Sequence, residues 1–159
     1  MRSVLPILFL ALIAAPSLDL SPVEAAAVPS PMAVGNASVT IRVTNIRNAR
    51  GRVHIDLCRL SEFLKNCPIS AEAPAMVGTT VVTIGNVPPG IYAAQAFQDE
   101  NSNGRVDRAL FGIPKEGVGF SNDAPINFGP PKWKDAMFGL QSDTAITLKM
   151  RYFGGVARG

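Results

Sequence analysis

The sequence predicts an all-β protein, an antiparallel immunoglobulin-like or prealbumin-like β-sandwich of about seven strands. Three observations carry this. Short runs alternate apolar and polar residues with the period of two that sends successive side chains to opposite faces of a strand. Glycine (14) and proline (13) recur through the 159 residues often enough to break up any long element. Past the N-terminal apolar run, no stretch keeps the 3.6-residue period of an amphipathic helix.

The chain opens with Met1 and Arg2, an apolar run from Val4 to Ala15, then Pro16 and, further on, Ala25-Ala26-Ala27. The run is shorter than the ~20 residues that span a bilayer, its basic residue comes first, and the small residues offer a cleavage site. Residues 1–27 therefore read as a secretory signal peptide, with an uncleaved membrane anchor as the competing reading. No cysteine follows the run in a lipobox position, which argues against a lipid anchor. Residues 28–36 read as a flexible linker, 37–151 as the sandwich domain and 152–159 as a flexible tail, with no transmembrane segment after the signal is removed.

Within the domain, Val39, Ile41 and Val43 alternate with Thr40, Arg42 and Thr44, so Ala37 to Ile46 reads as a strand with one wet face. Asn48 to Gly51 turns the chain, and Val53, Ile55 and Leu57 alternate with His54, Asp56 and Cys58, which reads as the hairpin partner. His54 falls on the polar face and reads as a solvated strand histidine. Cys58 and Cys67 are the two cysteines of the chain. In an exported protein a close pair reads as one disulfide, and without C-x-x-C or further ligands near His54 a zinc or redox site is disfavoured. Pro68 to Gly78 reads as a loop, since Pro68 and Pro74 block a strand interior. Thr79 to Ile84 and Ile91 to Phe97 read as strands joined through Pro88-Pro89. Lys115 to Asn127 shows little periodicity, Ala136 to Leu140 is strand-like, and a last run sets Ile146, Leu148 and Met150 opposite Thr147, Lys149 and Arg151.

The strand ending at Phe97 delivers the chain into an oxygen-rich ladder. Asp99, Asn101 and Asn103 stand at alternate positions, Gly104 follows at the sixth place, and Asp107 closes at the ninth. A calcium ion takes about six to eight oxygens, and short carboxylates and carboxamides at this spacing converge on one point while a glycine makes the sharp turn. Arg105, at the seventh place, would give its backbone carbonyl. The twelfth place, Leu110, cannot supply the usual bidentate carboxylate, so Glu116 is the candidate replacement. The competing reading is an Asx-rich surface turn in which the same side chains cap their own backbone.

Four stretches in fixed order carry a family resemblance: P-P-G-I-Y-A-A-Q-A-F at Pro88 to Phe97, D-E-N-S-N-G-R-V-D at Asp99 to Asp107, F-G-I-P-K-E-G-V-G-F-S-N at Phe111 to Asn122, and G-P-P-K-W-K-D-A at Gly129 to Ala136. Together they resemble the small secreted bacterial family called Domain of Unknown Function 2141, over about Ala37 to Met150. That resemblance implies a fold and a compartment, not a reaction. The first two stretches are also similar to the calcium-loaded β-sandwich repeats of surface adhesins. This second likeness implies a structural calcium ion on Asp99, Asn101, Asn103, the Arg105 carbonyl and Asp107.

The net charge of +3 is spread along the chain without a dense Lys/Arg run, so the phosphate-tracking stripe of a nucleic-acid binder is missing. Ser121, in G-F-S-N, lacks the second glycine of a nucleophile elbow. Asp99, Glu100, Asp107, Glu116 and Asp123 could supply a carboxylate pair for hydrolysis of envelope carbohydrate or peptide, which keeps a secreted hydrolase as the alternative. The favoured reading is a monomeric periplasmic or secreted binding or structural module, stabilised by calcium. Phe120, Asn122 and Trp133 are its candidate contacts to a glycan or peptide of the envelope; filling of the core by the aromatics is the competing use.

Overall fold

A computed structural model of the protein describes residues 36–127 and 129–153. The expected signal peptide, all of the expected linker but Asn36, and residues 154–159 of the expected tail lie outside the described residues, as does Phe128.

Eight strands form two stacked sheets. In the first, β1 (Ala37–Ile46) lies between β4 (Gly78–Val87) and β8 (Thr144–Lys149). In the second, β3 (Ile69–Pro74), β2 (Arg52–Cys58) and β5 (Gly90–Asp99) run side by side, and two short strands share the far edge of β5. Of these, β6 (Val118–Phe120) pairs with Gln95 to Phe97 and β7 (Met137–Leu140) with Gly90 to Ala93. Just before β7 stands a single helical turn, α1 (Trp133–Ala136).

The alternation seen in the sequence is the alternation of burial. Val39, Ile41 and Val43 of β1 face Val53, Ile55 and Leu57 of β2 across the sandwich, all fully buried, with Tyr92, Leu140, Leu148 and Met150 completing the core. Each fully buried Val, Ile or Leu stabilises by about 1.5–3 kcal/mol relative to leaving it exposed. A second, smaller cluster covers the outer face of the second sheet, where Cys58, Phe63, Ala93, Phe120, Ala124 and Ala136 pack with partly buried Cys67, Ile126 and Trp133.

Two expectations need correction. The first two strands are not a hairpin: β1 pairs with β4 and β8, and β2 with β3 and β5, so the chain crosses between sheets in the turn after β1. Alternation alone cannot tell these pairings apart, because each strand offers one apolar face in either. What fixes the crossing is the turn. Gly51 has φ 66, and a Cβ there would lie 1.7 Å from the Asp99 carbonyl oxygen, so the turn packs directly on the end of β5. Buried Gln98 ties it down by donating to the Asn48 and Arg50 carbonyls at 3.0 and 3.2 Å.

The second correction is the stretch Pro68 to Gly78, which contains the strand β3. Its inward residues are Ile69, Ala71 and Ala73, and alanine on the buried parity gives too weak an alternation to read. Pro68 precedes the strand and Pro74 ends it, on an edge where a missing N–H is tolerated. The sandwich is antiparallel, as expected, with one parallel pairing, that of β8 with β1.

Candidate functional site

Asp99 is the last residue of β5 and is only 5 % exposed. One of its carboxylate oxygens accepts the Asn103 N–H at 3.0 Å and the other the Gly104 N–H at 2.7 Å, so the strand end pins the turn that follows. Gly104 has φ 76, a left-handed backbone that suits glycine at the sixth place of the ladder. Asn101 Oδ1 accepts the Asn103 N–H at 3.2 Å, and Asn103 Oδ1 accepts the Arg105 N–H at 3.0 Å. Both carboxamide Nδ2 groups then donate to Asp107, Asn101 at 2.8 Å and Asn103 at 3.0 Å. Glu116, 5 % exposed, closes the loop from the other side by accepting the Glu100 N–H and the Asp107 N–H, each at 3.0 Å. Leu110, at the twelfth place, is 82 % exposed and belongs to the loop tip. Glu116 thus spans the loop where Leu110 cannot.

The loop is oxygen-rich and short of cations. Among the described residues no basic side chain comes within 4.0 Å of Asp99, Asp107 or Glu116, while neighbouring Glu100 turns the other way to Arg47, whose guanidinium also stacks on Tyr152. No group of three or more Asp, Glu, His or Cys among them is arranged to hold a metal; the oxygens gathered in the loop come from carboxamides as well as carboxylates. That set suits a hard cation. An ionised carboxylate offers about four lone-pair directions, and Asp99 commits two of them to backbone N–H groups. The Asn101 and Asn103 amides stand against Asp107 where a cation would otherwise balance its charge. Rotating each amide by half a turn would present oxygen to the ion at the loss of the bonds that Asn101 Oδ1 and Asn103 Oδ1 accept from the Asn103 and Arg105 N–H groups, while the Asn103 N–H keeps its bond to Asp99.

Beside this loop the outer face of the second sheet holds an apolar groove of about 500 Å³. Phe97, Val118 and Phe120 form its floor, with Phe97 opposite Val118 and Gln95 opposite Phe120 in the pairing of β5 with β6. One wall is Leu64, held on the sheet by the Cys58–Cys67 disulfide, whose Cα atoms are 5.1 Å apart. A second wall is Ile126 and Pro130, and the third is the tip from Arg108 to Pro114. Among the described residues, no carboxylate lines it.

Of the three expected contact residues, Phe120 lines the groove. Trp133 stands behind it, edge-on to Phe63 at 5.6 Å, with Phe63 in turn edge-on to Phe120 at 6.0 Å. Asn122, exposed and with φ 58, donates to the Met137 carbonyl at 2.9 Å, which fastens the segment to β7. Sequence reasoning missed Phe97, Val118 and Leu64. The signal was present in β5, which apart from Gln95 is apolar on both parities from Tyr92 to Phe97, a pattern that calls for cover on both faces.

The groups considered for hydrolysis are otherwise engaged. Buried Ser121 accepts the Ala94 N–H at 2.9 Å and donates to the Ala136 carbonyl, stitching the covering segment to the sheet. Asp123 pairs with Arg151 at 2.7 Å. His54 Nε2 lies 2.9 Å from Asp56 Oδ1, and that hydrogen bond raises its pKa above the ordinary 6.5 against the opposing effect of burial.

No curated protein and no solved structure matches the chain. A family model described as "Uncharacterized protein conserved in bacteria" matches residues 41–147, from within β1 into β8, and so takes in both sheets, the oxygen-rich loop and nearly all of the groove. The chain belongs to that family, DUF2141.

Proposed function

We propose that the protein is an exported binding module of the cell envelope, periplasmic or secreted, whose ligand-binding site is the groove on the outer face of the second sheet. A calcium ion held by Asp99, Asn101, Asn103, the Arg105 carbonyl and Asp107 stiffens the groove's tip wall, with Glu116 bracing the loop. The observation that carries this reading is the groove itself: an apolar concavity of about 500 Å³, in the size range of ligand pockets, on a face the sandwich core does not use. Export is supported by the N-terminal apolar run and by the disulfide, which persists in oxidising compartments. The alternative, a secreted hydrolase, would need paired carboxylates at its cleft; among the described residues lining the groove there is none.

Calcium binding is tested by thermal unfolding. An ion bound by the native state alone stabilises by about 2.7 kcal/mol at a hundredfold excess over Kd. At ~2–8 °C per kcal/mol this is a readily measured rise in Tm on adding calcium to metal-stripped protein. Asp99→Ala should abolish most of the increment. Glu100→Ala loses the Arg47 pair and lowers the baseline, yet should keep the increment. Magnesium should substitute poorly, since it demands a tighter octahedron and gives up water reluctantly. Equal Tm with and without millimolar calcium would reduce the loop to an Asx turn.

A further inference from the structure

The groove is apolar, and among the described residues that line it the one charged side chain is Arg108. This guanidinium, on an exposed residue of the tip, donates through Nη1 to the Gly112 carbonyl at 2.9 Å and makes no ion pair among the described residues. Four of its five N–H donors are thus left for a partner, in the fork geometry that suits a carboxylate. At the mouth stands Phe111, 99 % exposed, in a left-handed conformation with φ 62. A bulky residue in that conformation is strained, and such strain gathers at ligand-binding segments. The side chain has nothing to pack against in the free protein.

From an apolar floor, one fixed cation and an unpacked aromatic at the rim, we infer that the groove binds a single-chain fatty carboxylate, its chain lying on Phe97 and Phe120 and its head group on Arg108. The inference rests on the reading of the groove as the binding site and adds the ligand's chemistry. A monomeric chain is favoured over a bilayer surface because the floor lies below three walls. A planar membrane could reach Phe111 and Leu110 at the tip but not Phe97 or Phe120.

The test uses the full chain and the fluorescent probe 11-(dansylamino)undecanoate, with dodecanoate and dodecanol as competitors. The expected result is one probe per chain, displaced by dodecanoate at about tenfold lower concentration than by dodecanol, the scale of one hydrogen bond to a charged group. Arg108→Gln should erase that preference, so that dodecanoate and dodecanol displace the probe at similar concentrations. Phe111→Ser, at a fully exposed position, should weaken both ligands without lowering Tm. Equal displacement by acid and alcohol, or a preference that survives Arg108→Gln, overturns the carboxylate assignment but leaves the groove as a binding site. Absence of saturable probe binding overturns both. Binding only to vesicles containing phosphatidylglycerol, with no monomer bound, assigns the tip to a membrane surface and overturns the inference.

Discussion

His54 is held between two acids on the outer face of the second sheet, with Asp56 at 2.9 Å from Nε2 and Glu72 at 3.8 Å from Nδ1, and its ring lies 4.9 Å from Phe97. Arg52, ion-paired with Glu72 at 2.6 Å, is the nearby opposing charge. Because the folded-state pKa is raised above 6.5, the protonated ring stabilises the fold. That contribution is fully present below the unfolded pKa and is lost as pH rises through the folded one. Denaturant unfolding should therefore show the native protein losing stability relative to His54→Gln between about pH 6 and pH 8. A histidine titration midpoint at or below 6.5 in the folded protein would contradict the assignment. The sequence placed His54 on a polar face, and that much was legible. Its partners were not fully so: Asp56 is two residues away on the same strand, but Glu72 belongs to β3, which the sequence did not reveal.

At the scale of elements, the disulfide joins two tasks. It ends β2 at Cys58, and it clamps the following turn so that Phe63 enters the outer cluster and Leu64 walls the groove. Replacing both cysteines by alanine should cost about 2–3 kcal/mol, read as a fall in Tm, and reductant should mimic it. A native protein whose Tm ignores reductant would show that the bridge is not formed or not stabilising. Binding in the groove should weaken along with it. The pairing of Cys58 with Cys67 was readable because the expected export and the close spacing left few other uses. The β3 strand was not, because its inward alanines carry little hydrophobic signal, and neither was the separation of β1 from β2. That depended on a long-range fact, the packing of Gly51 against Asp99, which no local pattern encodes. The oxygen ladder was legible because its residues are contiguous; the groove was not, because its walls come from segments far apart in sequence.

For the whole molecule, the parallel pairing of β8 with β1 has a mechanical consequence. The first strand enters the domain at one end of that pair, and the last strand leaves at the other, in register from Val39 with Thr144 to Thr44 with Lys149. Tension applied between residues 37 and 150 therefore pulls the two strands lengthwise past one another. The hydrogen bonds along the pair are loaded together instead of peeling apart one at a time, and Asn45, which donates to the Met150 carbonyl at 2.7 Å, adds a bolt at the far end. In single-molecule stretching, the domain should yield at higher force when pulled from these two ends than when pulled from residue 37 and a cysteine placed at Gly85 in β4, whose antiparallel partner strand would unzip from its end. Forced unfolding reports the unfolding barrier and not the equilibrium stability, so the two pulling directions should differ even though Tm is the same.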